Sequence, residues 1–381
     1  VGKKKNRGYQ MRVLYIGHYK EGSGWSQAAI NYILALDSIG IDVVCRNIKL
    51  TNIEPEIPHR IKEIEQKSLN NITHCIQHVL PHHLVATSKF KKNIAYFVNE
   101  SYPIKNCSWF DNLQQMDEVW VPNYSNRTDM MDSPHPIKTR IIPHTFDLLK
   151  YRKEYARINF DIYNNRFKFY TIADINDRKN LSSIVKCFYS EFSNDEPVAL
   201  VLKLKKYGSN QNQLAHYIKN WTNEIKKKLR IYKDISSYTP EIIITSEMND
   251  DQISSLHKSC DCFVCPSHGE GWSIPSFEAM CFGKTPICSN EGGPADFIPD
   301  DKNCGSLVDG VYGVCDHSDP AFPELFTGKQ QWFVPSECSI KNTMRYYYEN
   351  KDNIDRSSGL KHAENYSFEK VGNMIKDCLN D

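Results

Sequence analysis

Two glutamates, Glu270 and Glu278, stand with seven residues between them in the stretch SHGEGWSIPSFEAMCFGKTPI, Ser267 to Ile287. The first lies in a loop between Gly269 and Gly271; the second lies about one turn into a segment that reads as a helix over 274–282. The two glycines permit positive φ or the close approach of a ligand to the main chain. Ser273 stands where a helix cap belongs, Pro275 near the first helical position, where a missing N–H is no loss, and Gly283 where the helix must end. The free N–H groups and positive dipole end of such a helix suit phosphate or polar hydroxyl groups. Each carboxylate can then hold its own pair of hydroxyls.

A pattern of this kind needs elements to position it, and the chain supplies them as an alternation of strands and helices, the mark of a parallel α/β architecture. RVLYIGHY (12–19) is a short, continuously apolar run of the type that parallel strands covered on both faces show. The loop KEGSG follows, then a helix over about 25–39 with Ala29, Ile30, Ile33, Leu34 and Leu36 on one apolar face and Gly40 as its stop. IDVVC and runs near His74, Ala95, Val119 and Ile141 continue the strands, and the polar stretch 151–166 reads as a linker. A second alternation then runs KFYTIADI, RKNLSSIVKCFYSEF, PVALVLKL, a basic helix around 221–229, EIIITSE, DDQISSLHKS, CDCFVCPS and TPICSN. Two doubly wound, Rossmann-like domains in series are expected. Such sheets bind ligands at the carboxyl ends of their strands, so the site is expected in the cleft between the domains.

Composition narrows the function. At 381 residues the chain suits two domains, and 47 basic against 46 acidic side chains leave no excess for gripping nucleic acid. No run of 18 or more apolar residues is present and the basic start VGKKKNRGYQ has no apolar stretch after it, so a soluble, cytoplasmic protein is expected, with the first ten residues carrying no fold information. The 13 cysteines include Cys260, Cys262 and Cys265 on an apolar strand with no partner pair at zinc-finger spacing, which reads as buried free thiols. Lys219, Lys226, Lys227, Arg230 and Lys233 read as a solvated helix face, with peripheral contact to anionic lipid as the alternative. Gly22 and Gly24 give only G-x-G, with Gln27 where a dinucleotide fingerprint needs a third glycine, and no acidic residue follows IDVVC; both features argue against a dehydrogenase.

The E-x7-E arrangement, the strand TPICSN and the glycine turn EGGPADF together resemble the donor site of the retaining glycosyltransferases of family 4, which have the GT-B fold. GHYKEGSGWSQAAINYILALDSIGIDV resembles that family's first glycine loop and helix, EVWVPNYSNR its interdomain-facing strand, IIPHTFD its linker entry and DRKNLSS its phosphate-binding lysine segment. The resemblance implies two Rossmann-like domains facing a central cleft: residues 1–148, joined by a C-terminal helix of about 365–381 that crosses back, on the acceptor side, and residues 149–364 on the donor side. It implies that Glu278 holds the ribose hydroxyls and Glu270 sits against the donor sugar, that the backbone of Gly271, Trp272 and Ser273 reaches sugar and pyrophosphate beside His268, and that Lys179, with Arg178, neutralises the departing diphosphate. Gly22, Ser23, Gly24, His18, Glu100 and His144 fall at the acceptor or cleft side, although for the histidines and Glu100 a packing role stands open beside the functional one.

Two departures from the family pattern stand out. Its arginine five positions before the lysine is here Asp174, so that Arg178 substitutes or the donor is held differently, and its His-Asp after a middle strand is here Asn99 and Glu100, in NESYPIKNCSW. The expectation is a retaining, metal-independent glycosyltransferase, with no cofactor beyond the nucleotide sugar, that moves a hexose-type sugar from a UDP- or GDP-sugar to a glycan or lipid-linked acceptor. No Asp-x-Asp pair of the metal-dependent kind occurs. The alternatives are a nucleotide-sugar-binding protein without transfer activity and a nucleotide-sugar epimerase of similar architecture.

Overall fold

The apolar run after Met11 forms strand β1 (Arg12–Gly17), and parallel strands β2 (Asp42–Asn47), β3 (His74–His78), β4 (Lys92–Tyr96), β5 (Glu118–Val121) and β6 (Thr139–Ile141) complete a six-stranded sheet of order β2-β1-β3-β4-β5-β6. These assignments come from a computed structural model that describes residues 11–52, 55–133, 135–316, 326 and 328–381; the expectation for the first ten residues lies outside them. Val13, Val43, Ile94 and Val119 are fully buried, as strands covered on both faces require. The helix Gly24–Ser38 begins with a capping box in which Ser23 accepts from the Ser26 N–H and its own N–H donates to the Ser26 hydroxyl. It stops before Gly40, whose φ of +80° only glycine adopts without cost.

By internal contacts this first unit comprises the chain up to Asn99, Pro103–Asp147 and Asn365–Asp381; the second comprises Glu100–Tyr102 and Leu148–Glu364. The helix Phe368–Asn380 buries Val371, Gly372, Ile375 and Leu379, and it lies so close to Gly24–Ser38 that a Cβ on Gly372 would stand 3.0 Å from the Ala35 carbonyl oxygen.

The second unit holds another parallel six-stranded sheet, order β12-β11-β10-β7-β8-β9, from β7 (Phe167–Asp174), β8 (Val198–Lys205), β9 (Glu241–Ile244), β10 (Cys262–Cys265), β11 (Ile287–Ser289) and β12 (Ser306–Val308). Strands β13 (Gly310–Val314) and β14 (Gln331–Pro335) pair separately as an antiparallel ribbon. Leu200, Leu202 and Leu204 of β8 enter a core with Ile184, Phe188, Ile340 and Met344. Cys260, Cys262 and Cys265 are buried free thiols. Among the described residues no helix is long and apolar enough to cross a membrane.

Two local expectations are corrected. The basic helix spans Gln211–Leu229, and Lys226 does not lie on its solvated face but is buried, its ammonium 2.7 Å from the buried carboxylate of Glu241, which the exposed Lys219 also reaches at 2.6 Å. Ser273 occupies the N-cap position but caps nothing, because its left-handed backbone (φ +67°) turns the hydroxyl to Ser276 Oγ at 2.7 Å. Asn180 makes no side-chain cap either; its amide donates to the Pro266 carbonyl, and Asn176 caps the preceding turn.

Candidate active site

The carboxyl end of β7 leads into a tight turn at Asp177–Lys179, fixed where the Asn176 side chain accepts from the Lys179 N–H at 3.1 Å. This turn delivers two cations to the loop after β10. Lys179 Nζ lies 2.6 Å from Glu270 Oε1; Arg178 Nη1 lies 3.4 Å from the same oxygen, 3.0 Å from Glu100 Oε1, and donates to the Gly269 carbonyl. The backbones interlock as well, with the His268 N–H donating to the Arg178 carbonyl at 2.8 Å.

Glycine is required here for contact between main chains. A Cβ on Gly269 would fall 2.0 Å from the Glu100 carbonyl oxygen, and one on Gly292, where φ is +63°, 2.1 Å from that of Glu270. Gly293 donates its N–H to the Glu270 carbonyl at 3.0 Å, so the short helix Gly292–Phe297 is clamped to the loop after β10.

The two carboxylates behave differently. Burial raises the pKa of Glu100, and neighbouring Glu270 adds to that despite Arg178. Burial would raise Glu270 too, but the charges of Lys179 and Arg178 and hydrogen bonds from Lys179 and Ser267 hold it below its ordinary value. Two carboxylates sharing one cation pair are thus pushed apart, Glu100 toward the protonated form and Glu270 toward the ionised one.

Glu278 sits on the helix Ile274–Cys281, where Lys150 Nζ lies 2.5 Å from its Oε1 and His257 Nε2 lies 3.9 Å from its Oε2. His257 is fully buried, bonded through Nδ1 to Tyr170 Oη at 2.6 Å, and burial pushes its pKa down to about 3, so it is neutral. Trp272 is buried against Phe297, and the Gly271 N–H donates to the Glu100 carboxylate. The His268 ring stacks on Trp332 of β14 at 4.3 Å, its Nδ1 facing the Phe333 carbonyl at 2.8 Å.

Of the residues expected from the first unit, His18 and His144 are packed, whereas Gly22, Ser23 and Gly24 are exposed. His18 is 1% exposed; Nδ1 faces the Ile48 carbonyl at 2.7 Å while Nε2 accepts the Leu80 N–H at 3.0 Å, so the backbone fixes its tautomer and occupies both nitrogens. His144 is buried with Tyr32 and Tyr96 hydroxyls at its Nδ1, and burial lowers its pKa to about 3. Gly22, with φ +64°, and Ser23 form the turn and cap into the helix that Gly24 begins. Sequence reading missed Lys150, His257 and Trp332. Lys150 precedes a stretch that looks like featureless linker, and only the glycine pair in EGGP gave a signal for the clamp behind Glu270. Among the described residues no group of three or more His, Cys, Asp or Glu is placed to hold a metal ion.

Comparison with known proteins bears on this same stretch. Residues 153–311 match the model of the family Glycosyl transferases group 1. The match falls wholly within the second unit and contains Lys179, Glu270 and Glu278. A curated relative, the serotype-specific mannosyltransferase WbdA of Escherichia coli, is 26% identical over 149 residues, which is 38% of this chain but only 16% of the relative's length. Among solved structures, Anabaena HepE in complex with UDP is similar with a TM-score of 0.61 at 12% identity, covering 97% of this chain and 100% of that one. Sucrose-phosphate synthase of Thermosynechococcus elongatus is similar with a TM-score of 0.65, also at 12% identity, over 97% and 98% of the two chains. At that identity the likeness speaks for the fold alone: an α/β, two-domain, Rossmann-like GT-B fold.

Proposed function

We propose that the protein is a retaining glycosyltransferase that moves a hexose-type sugar from a UDP- or GDP-sugar to a glycan or lipid-linked acceptor. The observation that carries this reading is the pairing of Lys179, on the turn after β7, with Glu270, on the loop after β10 that leads into the helix of Glu278, at the carboxyl ends of the second sheet. Glu278 is assigned to the ribose hydroxyls and Glu270 to the donor sugar. A diphosphate arriving beside Lys179 competes with Glu270 for the ammonium. That exchange puts the cation on the leaving group and frees the carboxylate to accept from sugar hydroxyls.

Cleavage of the anomeric bond places negative charge on the departing phosphate and positive character on the sugar ring. Lys179 and the loop amides of Gly271 to Ser273 are then fixed where charge develops, which lowers the barrier without a resident metal. Arg178, held by Glu100 and the Gly269 carbonyl, acts as the anchor of this cluster. No enzyme nucleophile is assigned.

The test is a thermal-shift panel of UDP-, GDP- and ADP-sugars on the wild type and Glu278→Ala, since a ligand that binds only the native state raises its melting temperature. One nucleotide series should stabilise the wild type and lose that effect in the variant, and the matching sugar nucleotide should turn over with an acceptor, with its anomeric configuration retained and in the presence of EDTA. Sugar isomerisation without any acceptor would replace transfer by epimerisation. Absence of any nucleotide-dependent shift would overturn the donor-site reading.

A further inference from the structure

Lys203, near the carboxyl end of β8, is only 6% exposed, yet it makes no hydrogen bond and no ion pair within 4.0 Å among the described residues. Its stem is covered while the ammonium itself keeps contact with solvent, an open and uncompensated positive charge near the end of the strand. Asp174 and Glu247 attract it only through space; Asp174 lies 3.6 Å from Lys205 instead.

The strand geometry shows which way Lys203 faces. Leu202 and Leu204 point into the core with Ile184, Phe188 and Met344, so Lys203 projects from the opposite face. On that face Val201, Tyr170 and Phe263 form one row across β8, β7 and β10, and Tyr170 carries His257, whose Nε2 is 3.9 Å from Glu278. Lys203, in register with Ile172 and Ile244, forms the next row, about 7 Å further toward the carboxyl ends of the strands. The two cations described for the site are already engaged: Arg178 by Glu100 and the Gly269 carbonyl, Lys179 by Glu270. A diphosphate brings more negative charge than Lys179 alone can match.

We propose that Lys203 supplies a second positive charge to the phosphates of the bound nucleoside diphosphate, from the sheet rather than from the turn after β7. This rests on the donor-site reading above. The lysine keeps its charge free of protein partners because the ligand is its partner.

Calorimetric titration of UDP and GDP, with uridine and guanosine alongside, into wild type, Lys203→Met, Lys203→Arg and the exposed control Lys205→Met tests this, together with the melting temperature of each protein without ligand. Lys203→Met should bind the diphosphate at least ten-fold more weakly and the nucleoside unchanged, with its melting temperature when empty close to that of wild type. Lys203→Arg should restore most of the diphosphate affinity, and Lys205→Met should behave as wild type. Equal diphosphate affinity in wild type and Lys203→Met would overturn this inference alone. A lower melting temperature of empty Lys203→Met with parallel loss of nucleoside and diphosphate binding would make the lysine structural and overturn it too. Failure of the wild type to bind either diphosphate would overturn the donor-site reading and this inference with it.

Discussion

Two clusters in the second unit each hold a buried carboxylate between two cations, and only one of them looks like a site. At the amino end of β9, Glu241 takes Lys219 and Lys226, and Lys226 also lies over the Tyr189 ring at 4.7 Å. Burial would raise the Glu241 pKa, but hydrogen bonds from both lysines hold it below its ordinary value. At the carboxyl ends of the strands, Glu270 takes Lys179 and Arg178, but there Glu100 shares Arg178 and burial drives its pKa up. The first cluster is closed and satisfied; the second is balanced yet contested, and glycine backbones are pressed against it. A buried ion pair is therefore poor evidence of function. Competition for one cation at the carboxyl ends of parallel strands is better evidence.

The comparison is broken most directly at Glu241. Glu241→Gln leaves Lys226 buried without its counter-charge and should cost about 3–5 kcal/mol in urea unfolding, while nucleotide affinity of the folded protein stays unchanged. Glu270→Gln should show a different balance: turnover falls about 100-fold and UDP binds no more weakly because Lys179 loses its competitor, while the loss in urea is smaller than for Glu241→Gln because Arg178 keeps Glu100 and the Gly269 carbonyl. Gly269→Ala forces a Cβ into the Glu100 carbonyl and should cost roughly 1–3 kcal/mol, with weaker nucleotide-sugar binding by calorimetry.

The smallest effects are those of pH. Glu270, with its folded pKa lowered from 4.5, contributes stability that is present above pH 4.5 and lost as pH falls through the folded value. Glu100, with its folded pKa raised, carries a penalty present at neutral pH and relieved as pH falls. Melting curves of Glu100→Gln should therefore lie above wild type at pH 7 to 8 and converge with it as pH falls toward 5; a gain independent of pH would remove the contest from the cluster.

Much of the architecture was legible because period and punctuation agree. The apolar runs of β1, β7, β8 and β10 are too short for helices, and Gly40 and Gly283 adopt the positive φ that ends a helix. The pair Glu270 and Glu278 was legible because a glycine loop and a Pro-started helix bracket it. Burial was not: Lys226 follows the spacing of a wet helix face together with the exposed Lys219, and only the strand lying beneath, with Glu241, shows that it is buried. Nor was Lys150, whose partner Glu278 is 128 residues away. Lys203 sits in VLKLKK as though it were one more strand-end lysine, and only the leucines on either side fix its face.

The placement of Phe368–Asn380 against Gly24–Ser38 bears on the order of synthesis. A nascent chain emerges amino end first, and all of Leu148–Glu364 leaves the ribosome before Val371, Ile375 and Leu379 can cover the helix they pack on. The second unit has its own sheet and core by then, whereas the first must wait with an apolar helix face uncovered. Translation thus completes the two halves in the reverse of the order in which they are begun, and the early half is the one exposed to chaperones and proteases during the delay.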